Sequence, residues 1–155
     1  MNSTALVTSD DLILRSQARG VLNEMCIACT CTGIIGFERT IASSKFDAIL
    51  LDVPRLDAAV AAIKSVRSGK LNRYSIILSF IAEGQSAAVA WGAGTNFTVR
   101  HGTDFRSELR KAFQSAHGLM LREKRRYYGH SVNIDADLFC NGKRLAGKIL
   151  DISEH

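Results

Sequence analysis

The sequence predicts an α/β protein in which helices cover both faces of a parallel five-stranded sheet. Over residues 4–116, five short apolar runs alternate with five segments of helical periodicity. The apolar runs lack the polar alternation of half-exposed strands, which is typical of strands buried on both faces. Right-handed connections between parallel strands then place helices on the two faces of the sheet.

The predicted elements follow one another at regular spacing. The strands are residues 5–8, 26–31, 48–51, 75–79 and 96–99, and the helices are residues 12–24, 36–44, 57–68, 85–92 and 104–126. Functional groups in such folds collect where the parallel strands end. Polar residues that follow the strands are therefore the first candidates for a site.

The last predicted helix carries an apolar stripe and then a basic cluster. Apolar residues recur every three or four positions from Phe105 to Met120, as on a helix that packs on a core. At 1.5 Å per residue, the unbroken helix would be about 35 Å long. We expect residues 1–118 to form one domain and residues 119–130 to form a basic helical stalk.

A β-hairpin is predicted beyond the repeating pattern, within a separate domain at residues 131–155. Two segments, 131–140 and 143–152, flank Asn141-Gly142, and Asn-Gly is the strongest short hairpin signal. Two strands alone are marginally stable in water. We therefore expect the hairpin to need further cover, and a homo-oligomer is one source of it.

Charge is concentrated in one segment of the chain. The net charge is +5, and residues 100–126 contain eight Lys or Arg but only three acidic residues. This segment predicts an anionic partner. Nucleic acid stays an alternative, although no base-reading pattern is present. No apolar run is long enough to span a membrane and no signal peptide is recognisable, so we expect a cytoplasmic protein.

Three cysteines lie close together at Cys26, Cys29 and Cys31. Their spacing is compatible with a metal or redox motif. Because Cys140 is distant in sequence and no histidine is near, burial as small apolar residues is the favoured interpretation.

Acidic residues follow two of the predicted strands. Asp10 and Asp11 follow the first strand and Asp52 ends the third. Neighbouring strand ends would bring these carboxylates together, in a set suited to Mg²⁺ and to a phosphoryl acceptor. Ser79 and Arg100, at the ends of the fourth and fifth strands, would contact phosphoryl oxygens.

These residues resemble the receiver domain of two-component response regulators, which has a flavodoxin-like (βα)5 fold. That family has an acidic pair after its first strand, an acceptor Asp after the third, Thr or Ser after the fourth and Lys after the fifth. The resemblance implies that Asp52 is the phosphoacceptor, that Ser79 and Arg100 support it, and that Mg²⁺ binds at Asp10, Asp11 and Asp52.

The chain also departs from the receiver pattern. Ser9 stands at one position of the acidic pair, Arg100 replaces the lysine, and His101 replaces the proline that usually follows it. Arginine and lysine are not interchangeable at a tight site. Two hypotheses stay open: a phosphorylated receiver with a histidine kinase or other signalling protein as partner, or a degenerate receiver that serves as an interaction module. Neither is an enzyme.

The basic cluster and the end of the chain resemble the opening of a PilZ domain, the bacterial receptor module for cyclic di-GMP. That family has Arg-x-x-x-Arg before its first strand and Asp/Asn-x-Ser-x-x-Gly after its second. The resemblance covers residues 121–155 and implies cyclic di-GMP binding by Arg122, Arg125, Arg126, Asp151 and Ser153.

The PilZ motifs are incomplete in this sequence. Gly129 stands at the second arginine position, and the sequence stops one residue before the glycine. We therefore expect a fragment or a divergent form, with weak or absent cyclic di-GMP binding. The whole chain predicts a bacterial signalling protein that couples a receiver-like input to a PilZ-like output.

Overall fold

The fold alternates strands and helices and then ends in two further strands. The computed structural model describes residues 3–82, 84–102, 104–128, 130–140 and 143–152. In chain order the elements are β1 Thr4–Thr8, α1 Leu12–Glu24, β2 Ala28–Thr32, α2 Phe37–Ser43, β3 Ala48–Leu51, α3 Leu56–Ser68, β4 Ile76–Ile81, α4 Ala87–Ala93, β5 Phe97–Arg100, α5 Phe105–Tyr128, β6 His130–Cys140 and β7 Lys143–Ile152.

The first five strands form one parallel sheet with the order β2-β1-β3-β4-β5. This confirms the predicted five-stranded parallel sheet. Every residue of β3 and β4 is buried, because helices cover both faces, and this is why their sequences show no polar alternation. Strand β2 forms an edge and is only partly buried.

Two apolar cores lie on opposite faces of the sheet. Residues of α1 and α5 pack on one face, where Phe113 and Met120 are fully buried. Residues of α2, α3 and α4 pack on the other face, where Ile63 and Ile77 are fully buried. Burial of such side chains is the main favourable contribution to folding, at about 25 cal/mol per Å² of apolar surface.

Two strand boundaries differ from the prediction by two residues, and the others differ by one residue at most. β4 continues to Ile81 instead of ending at Ser79. β2 begins at Ala28, and Cys26 lies outside it with a positive φ of 57°. The chain turns there because the Cys26 N–H donates to the Asn23 carbonyl at 3.0 Å, so the last turn of α1 extends into the predicted strand.

Helix α5 is continuous from Phe105 to Tyr128 and passes through Gly118 without a break. Its buried face extends to Met120 and Glu123, which are 0% and 8% exposed. Packing thus reaches beyond residue 118 into the segment predicted as a stalk. By internal contacts the chain divides into two compact units, Met1–Glu123 and Lys124–His155.

A buried polar cluster lies at the edge of the sheet where the strands begin. We call Lys45, Asn72, Ser75 and Glu123 the base network. Lys45 Nζ lies 3.3 Å from Glu123 Oε1 and 3.1 Å from Ser75 Oγ. The Lys45 and Glu123 side chains are only 5% and 9% exposed, so this ion pair is largely withdrawn from water.

Asn72 makes the greatest number of side-chain hydrogen bonds in the base network. Its Oδ1 accepts from the Phe46 N–H at 2.9 Å. Its Nδ2 donates to the carbonyl oxygens of Ile41 and Ser44, both at 2.8 Å. The side chain thereby satisfies backbone groups of α2 and of the segment that leads from α2 into β3.

The second unit contains an antiparallel pair of strands, β6 and β7. Apolar residues are paired across it, including Ile134 with Ile149 and Leu138 with Leu145. The predicted Asn141-Gly142 turn lies outside the described residues. Among the helices that the structure describes, none has the length and apolar character needed to cross a bilayer.

Candidate functional site

A cleft of about 290 Å³ opens at the edge of the sheet where the strands end. Asp10, Asp11 and Asp52 all line it, together with His101. The strand order reverses between β1 and β3, and ligands of open α/β sheets bind at such a switch point. The cleft therefore lies where the topology favours a site.

Strand register places Ser9 and Asp52 side by side. Thr8 of β1 pairs with Leu51 of β3, and Ser9 and Asp52 are the next residue on each strand. The Asp52 N–H donates to the Thr8 carbonyl at 2.8 Å, which extends the ladder by one step. Asp52 consequently lines the cleft, and Ser9 lies beside it as a fully buried neighbour.

Both carboxylate oxygens of Asp52 accept hydrogen bonds. Ser9 Oγ donates to Oδ2 at 2.6 Å, and His101 Nε2 lies 3.1 Å from Oδ1. Because a carboxylate only accepts, Nε2 carries the proton of this contact. The Asp52 side chain is 11% exposed, so Ser9 and His101 are its principal polar neighbours.

An aromatic stack holds His101 in position. The His101 ring centroid lies 4.8 Å from that of Phe80, and Phe80 lies 5.3 Å from Phe105. From sequence, His101 was noted only as a departure from a pattern, and its contact with Asp52 was missed. The alternation of side chains along a strand offered a signal for His101. Val99, two residues earlier, is buried in the core, so His101 is expected on the same inward face.

The other two predicted acids have different roles. Asp11 caps α1, with its Oδ1 accepting from the backbone N–H of Ile13 at 2.8 Å and of Leu14 at 3.1 Å. Asp10 Oδ1 accepts from the Ile34 N–H at 2.9 Å. The Asp10 side chain is 65% exposed, so it is far more open to solvent than Asp52.

Each of the three predicted acids accepts a hydrogen bond from a donor of the protein. Mg²⁺ requires near-octahedral oxygen coordination and binds through one or two carboxylates with waters or phosphates. Here both oxygens of Asp52 already accept from protein donors, and Asp11 accepts from the start of α1. Within the described part of the chain, no three or more His, Cys, Asp or Glu residues are grouped to hold a metal ion.

Ser79 is not brought to the cleft. Its hydroxyl lies 2.8 Å from Thr95 Oγ1 in the interior, and the residue is 2% exposed. In the sheet register it is level with Leu51, one residue short of Asp52. Because β4 continues to Ile81, an apolar residue ends the strand where the sequence prediction had placed a hydroxyl.

Arg100 also lies outside the cleft lining. It pairs with Ile81 at the end of β5 and is exposed. The next residue, His101, is the one that reaches Asp52. Alternation along the strand explains this outcome, because adjacent side chains point to opposite faces of a sheet.

The predicted nucleotide-binding arginines lie at the end of α5. Arg122, Arg125 and Arg126 are exposed, and their spacing places them on one helix face. Asp151 pairs with Ser131 in the register of β7 and β6. Ser153 lies outside the described residues, as does Gly129.

Comparisons with known proteins find relatives only by structure. No protein-family model and no curated protein matches the sequence. The receiver domain of a sensor histidine kinase from Pseudomonas aeruginosa superimposes with a TM-score of 0.64 at 23% identity, over 76% of this chain and 99% of that domain. The chain has a receiver-domain fold.

Two further receivers support the assignment of the fold. A chemotaxis response regulator of Vibrio cholerae matches with a TM-score of 0.65 at 15% identity, over 74% of this chain and 98% of its own. The receiver domain of a Francisella response regulator matches with a TM-score of 0.63 at 20% identity, over 79% and 99%. At these identities the shared property is the fold.

The Pseudomonas receiver holds a magnesium ion in its active-site cleft. In the receiver fold of this chain, the corresponding edge of the sheet holds Asp10 and Asp52 but has Ser9 beside them. The two proteins thus share the fold.

Proposed function

We propose that this protein is a signal-transduction module that acts through protein contact, and that Asp52 is a structural hydrogen-bond acceptor rather than a phosphoacceptor. The observation that supports this proposal is the pairing of both Asp52 oxygens with donors, Ser9 at 2.6 Å and His101 at 3.1 Å. Each Asp52 oxygen thus has one of its two acceptor positions occupied by a donor of the protein.

The charges around Asp52 also disfavour phosphoryl transfer. The reaction needs cations that neutralise the charge on the transferred group. Ser9 supplies no charge to attract Mg²⁺, and Arg100 is exposed outside the cleft lining. We therefore assign Mg²⁺ a weak affinity at this site.

Exposed apolar side chains near the cleft favour a protein partner. Leu12 and Ile13 at the start of α1 are each 71% exposed, and Ile35 is fully exposed beside Ile34 of the cleft wall. Clustered apolar exposure is typical of interaction surfaces. A histidine kinase or another signalling protein is the partner class that we propose, with no enzymatic activity in this chain.

Incubation with acetyl phosphate and Mg²⁺, followed by intact-mass spectrometry, tests the role of Asp52. We expect no Asp52-dependent adduct on the wild type. The matched variant carries Ser9→Asp and Arg100→Lys, which restore the second acid and the lysine of the receiver pattern. We expect this variant to bind Mg²⁺ more tightly, as measured by calorimetry.

A phosphoryl adduct on the wild type that is absent from Asp52→Ala would overturn the proposal. Circular dichroism of each variant shows whether a negative result reflects loss of the fold. If the restored variant gains an adduct and the wild type has none, the substitutions at the strand ends are the cause.

We further propose that the second unit begins a PilZ-like output module. Arg125 and Arg126 of this unit are exposed, and guanidinium groups bind phosphate through bidentate hydrogen bonds. Strand β6 follows this helix after one residue, as in the order of elements that the PilZ resemblance implies. This order and the exposed arginines support the proposal.

Calorimetry with cyclic di-GMP tests the second proposal. We expect weak or absent binding by the wild type, because Gly129 stands at an arginine position of the motif. Gly129→Arg should increase the affinity, and Arg125→Ala in that background should reduce it again. If neither the wild type nor Gly129→Arg releases heat, the cyclic di-GMP assignment fails. Homo-oligomer formation stays a prediction, which light scattering would check.

A further inference from the structure

Two thiols lie side by side on the edge strand β2, outside the cleft lining. Cys29 Sγ and Cys31 Sγ are 3.7 Å apart, because residues two apart on a strand share a face. Both side chains are half-buried and pack against the core that includes α1 and α5. The proposed signalling function makes no use of this pair.

A cation from α1 completes the cluster. The thiols raise the pKa of the exposed Arg19 guanidinium, first through its hydrogen bond to Cys31 and then through the charges of Cys31 and Cys29. Arg19 is therefore placed to balance negative charge that develops on either sulfur.

The charge of Arg19 does not offset the burial of Cys29. Burial raises the pKa of Cys29 to about 12, and the neighbouring charge of Cys31 acts in the same direction. A pair of thiolates this close together requires a cation between them. A thiophilic metal ion supplies that cation and displaces the protons as it binds.

The separation of the two cysteines fits a disulfide less well than it fits a bridging metal ion. Residues two apart on a strand are separated by about 6.6 Å between Cα atoms. This lies near the upper end of the range that disulfides tolerate, about 4.4–6.8 Å. A bridging ion leaves the sulfurs apart and requires less distortion of β2.

Ligand number and charge select the kind of ion. Tetrahedral Zn²⁺ sites use three or four protein ligands, and the described residues offer no third His, Cys, Asp or Glu at this place. Two thiolates with a monovalent ion leave one negative charge, which Arg19 balances; with a divalent ion the pair is already neutral. Thiolates favour soft ions, Cu⁺ among them, over ions that prefer carboxylate or water.

We propose that Cys29 and Cys31 form a two-thiolate binding site for Cu⁺, with Arg19 as its counter-charge. The test is competition between the full chain and bathocuproine disulfonate for Cu⁺, kept reduced by ascorbate under nitrogen. The wild type should retain one Cu⁺ per chain. Cys29→Ser with Cys31→Ser should lose it, whereas the matched variant Cys26→Ser with Cys140→Ser should retain it.

Two outcomes would overturn the copper site. One is equal retention of Cu⁺ by the wild type and by Cys29→Ser with Cys31→Ser. The other is preferential retention of Zn²⁺, measured in parallel with a zinc indicator. Arg19→Gln tests the site without touching the thiols or the core: we expect Cu⁺ affinity to fall by roughly fivefold, the effect of one nearby charge in water, and Arg19→Lys to restore most of it.

Discussion

Polar groups are buried at both edges of the sheet, but the two edges use them differently. In the base network Asn72 is 1% exposed and Ser75 is fully buried, and their hydrogen bonds are made within the protein. At the cleft, Asp10 is 65% exposed, whereas Asp52 is 11% exposed by side chain. Exposure therefore separates an edge that holds the fold together from an edge that remains open to a partner.

Asp52 lies in the cleft, but its hydrogen bonds are like those of the buried base network. Its two oxygens accept from Ser9 and His101, much as Asn72 serves the backbone around it. A group retained for chemistry often destabilises the fold, whereas a group retained for structure stabilises it. Stability measurements can therefore distinguish these two roles.

The largest effect is expected at Asn72 in the base network. Asn72→Ala leaves the Phe46 N–H and the carbonyls of Ile41 and Ser44 without their partner. Because buried unsatisfied groups are costly, we expect the free energy of unfolding to fall by about 4 kcal/mol. Urea denaturation measures it. Asn23→Ala, on the exposed face of α1, should change stability by less than about 0.5 kcal/mol.

The second effect concerns the ion pair of Lys45 with Glu123. Glu123→Ala leaves the lysine charge largely buried, and we expect a loss of about 3 kcal/mol. The double variant Lys45→Met with Glu123→Leu should be less destabilised than Glu123→Ala, because no buried charge remains. A double-mutant cycle in urea measures the coupling.

A surface pair provides the control for the buried one. Lys111 lies 3.3 Å from Glu108 on the exposed side of α5, where solvent screens the charges. Glu108→Ala should cost less than about 0.5 kcal/mol. If Glu123→Ala and Glu108→Ala lowered the free energy of unfolding equally, the base network would stabilise the fold no more than a surface ion pair does.

The third effect is at Asp52, where the two interpretations give opposite signs. As a structural acceptor, Asp52 should lose about 1–2 kcal/mol of stability on replacement by Ala, because Ser9 and His101 lose a charged partner. As a phosphoacceptor held for chemistry, its replacement should be neutral or stabilising. Thermal or urea unfolding decides between them, and Asp10→Ala, at an exposed acid, should have little effect.

The sheet was predictable from sequence, but the contents of the cleft were only partly so. Five buried strands with intervening helices indicate the topology, because few arrangements bury such runs. Asp52 could be placed because it ends an apolar run. The partners of Asp52 could not be assigned, because alternation indicates only which face His101 shares with Val99, and the contact with the carboxylate depends on the packing of β5 beyond Arg100.

Strand length caused the other difference between prediction and structure. Ser79 was expected at the cleft because it interrupts an apolar run, which is a usual sign of a strand end. The run continues through Phe80 and Ile81, so the serine lies inside β4. From sequence alone, a buried serine that is hydrogen-bonded to another hydroxyl cannot be distinguished from a serine at a functional site.

The smallest predicted effect follows from this location of Ser79. Ser79→Ala removes a 2.8 Å contact with Thr95, but Thr95 Oγ1 also lies 3.2 Å from the Ile77 carbonyl and stays satisfied. We expect a loss of about 1 kcal/mol in urea denaturation. Mg²⁺ affinity in the Ser9→Asp, Arg100→Lys variant should be unchanged by adding Ser79→Ala. A marked fall in that affinity would mean that Ser79 acts at the cleft and does not belong to the protein interior.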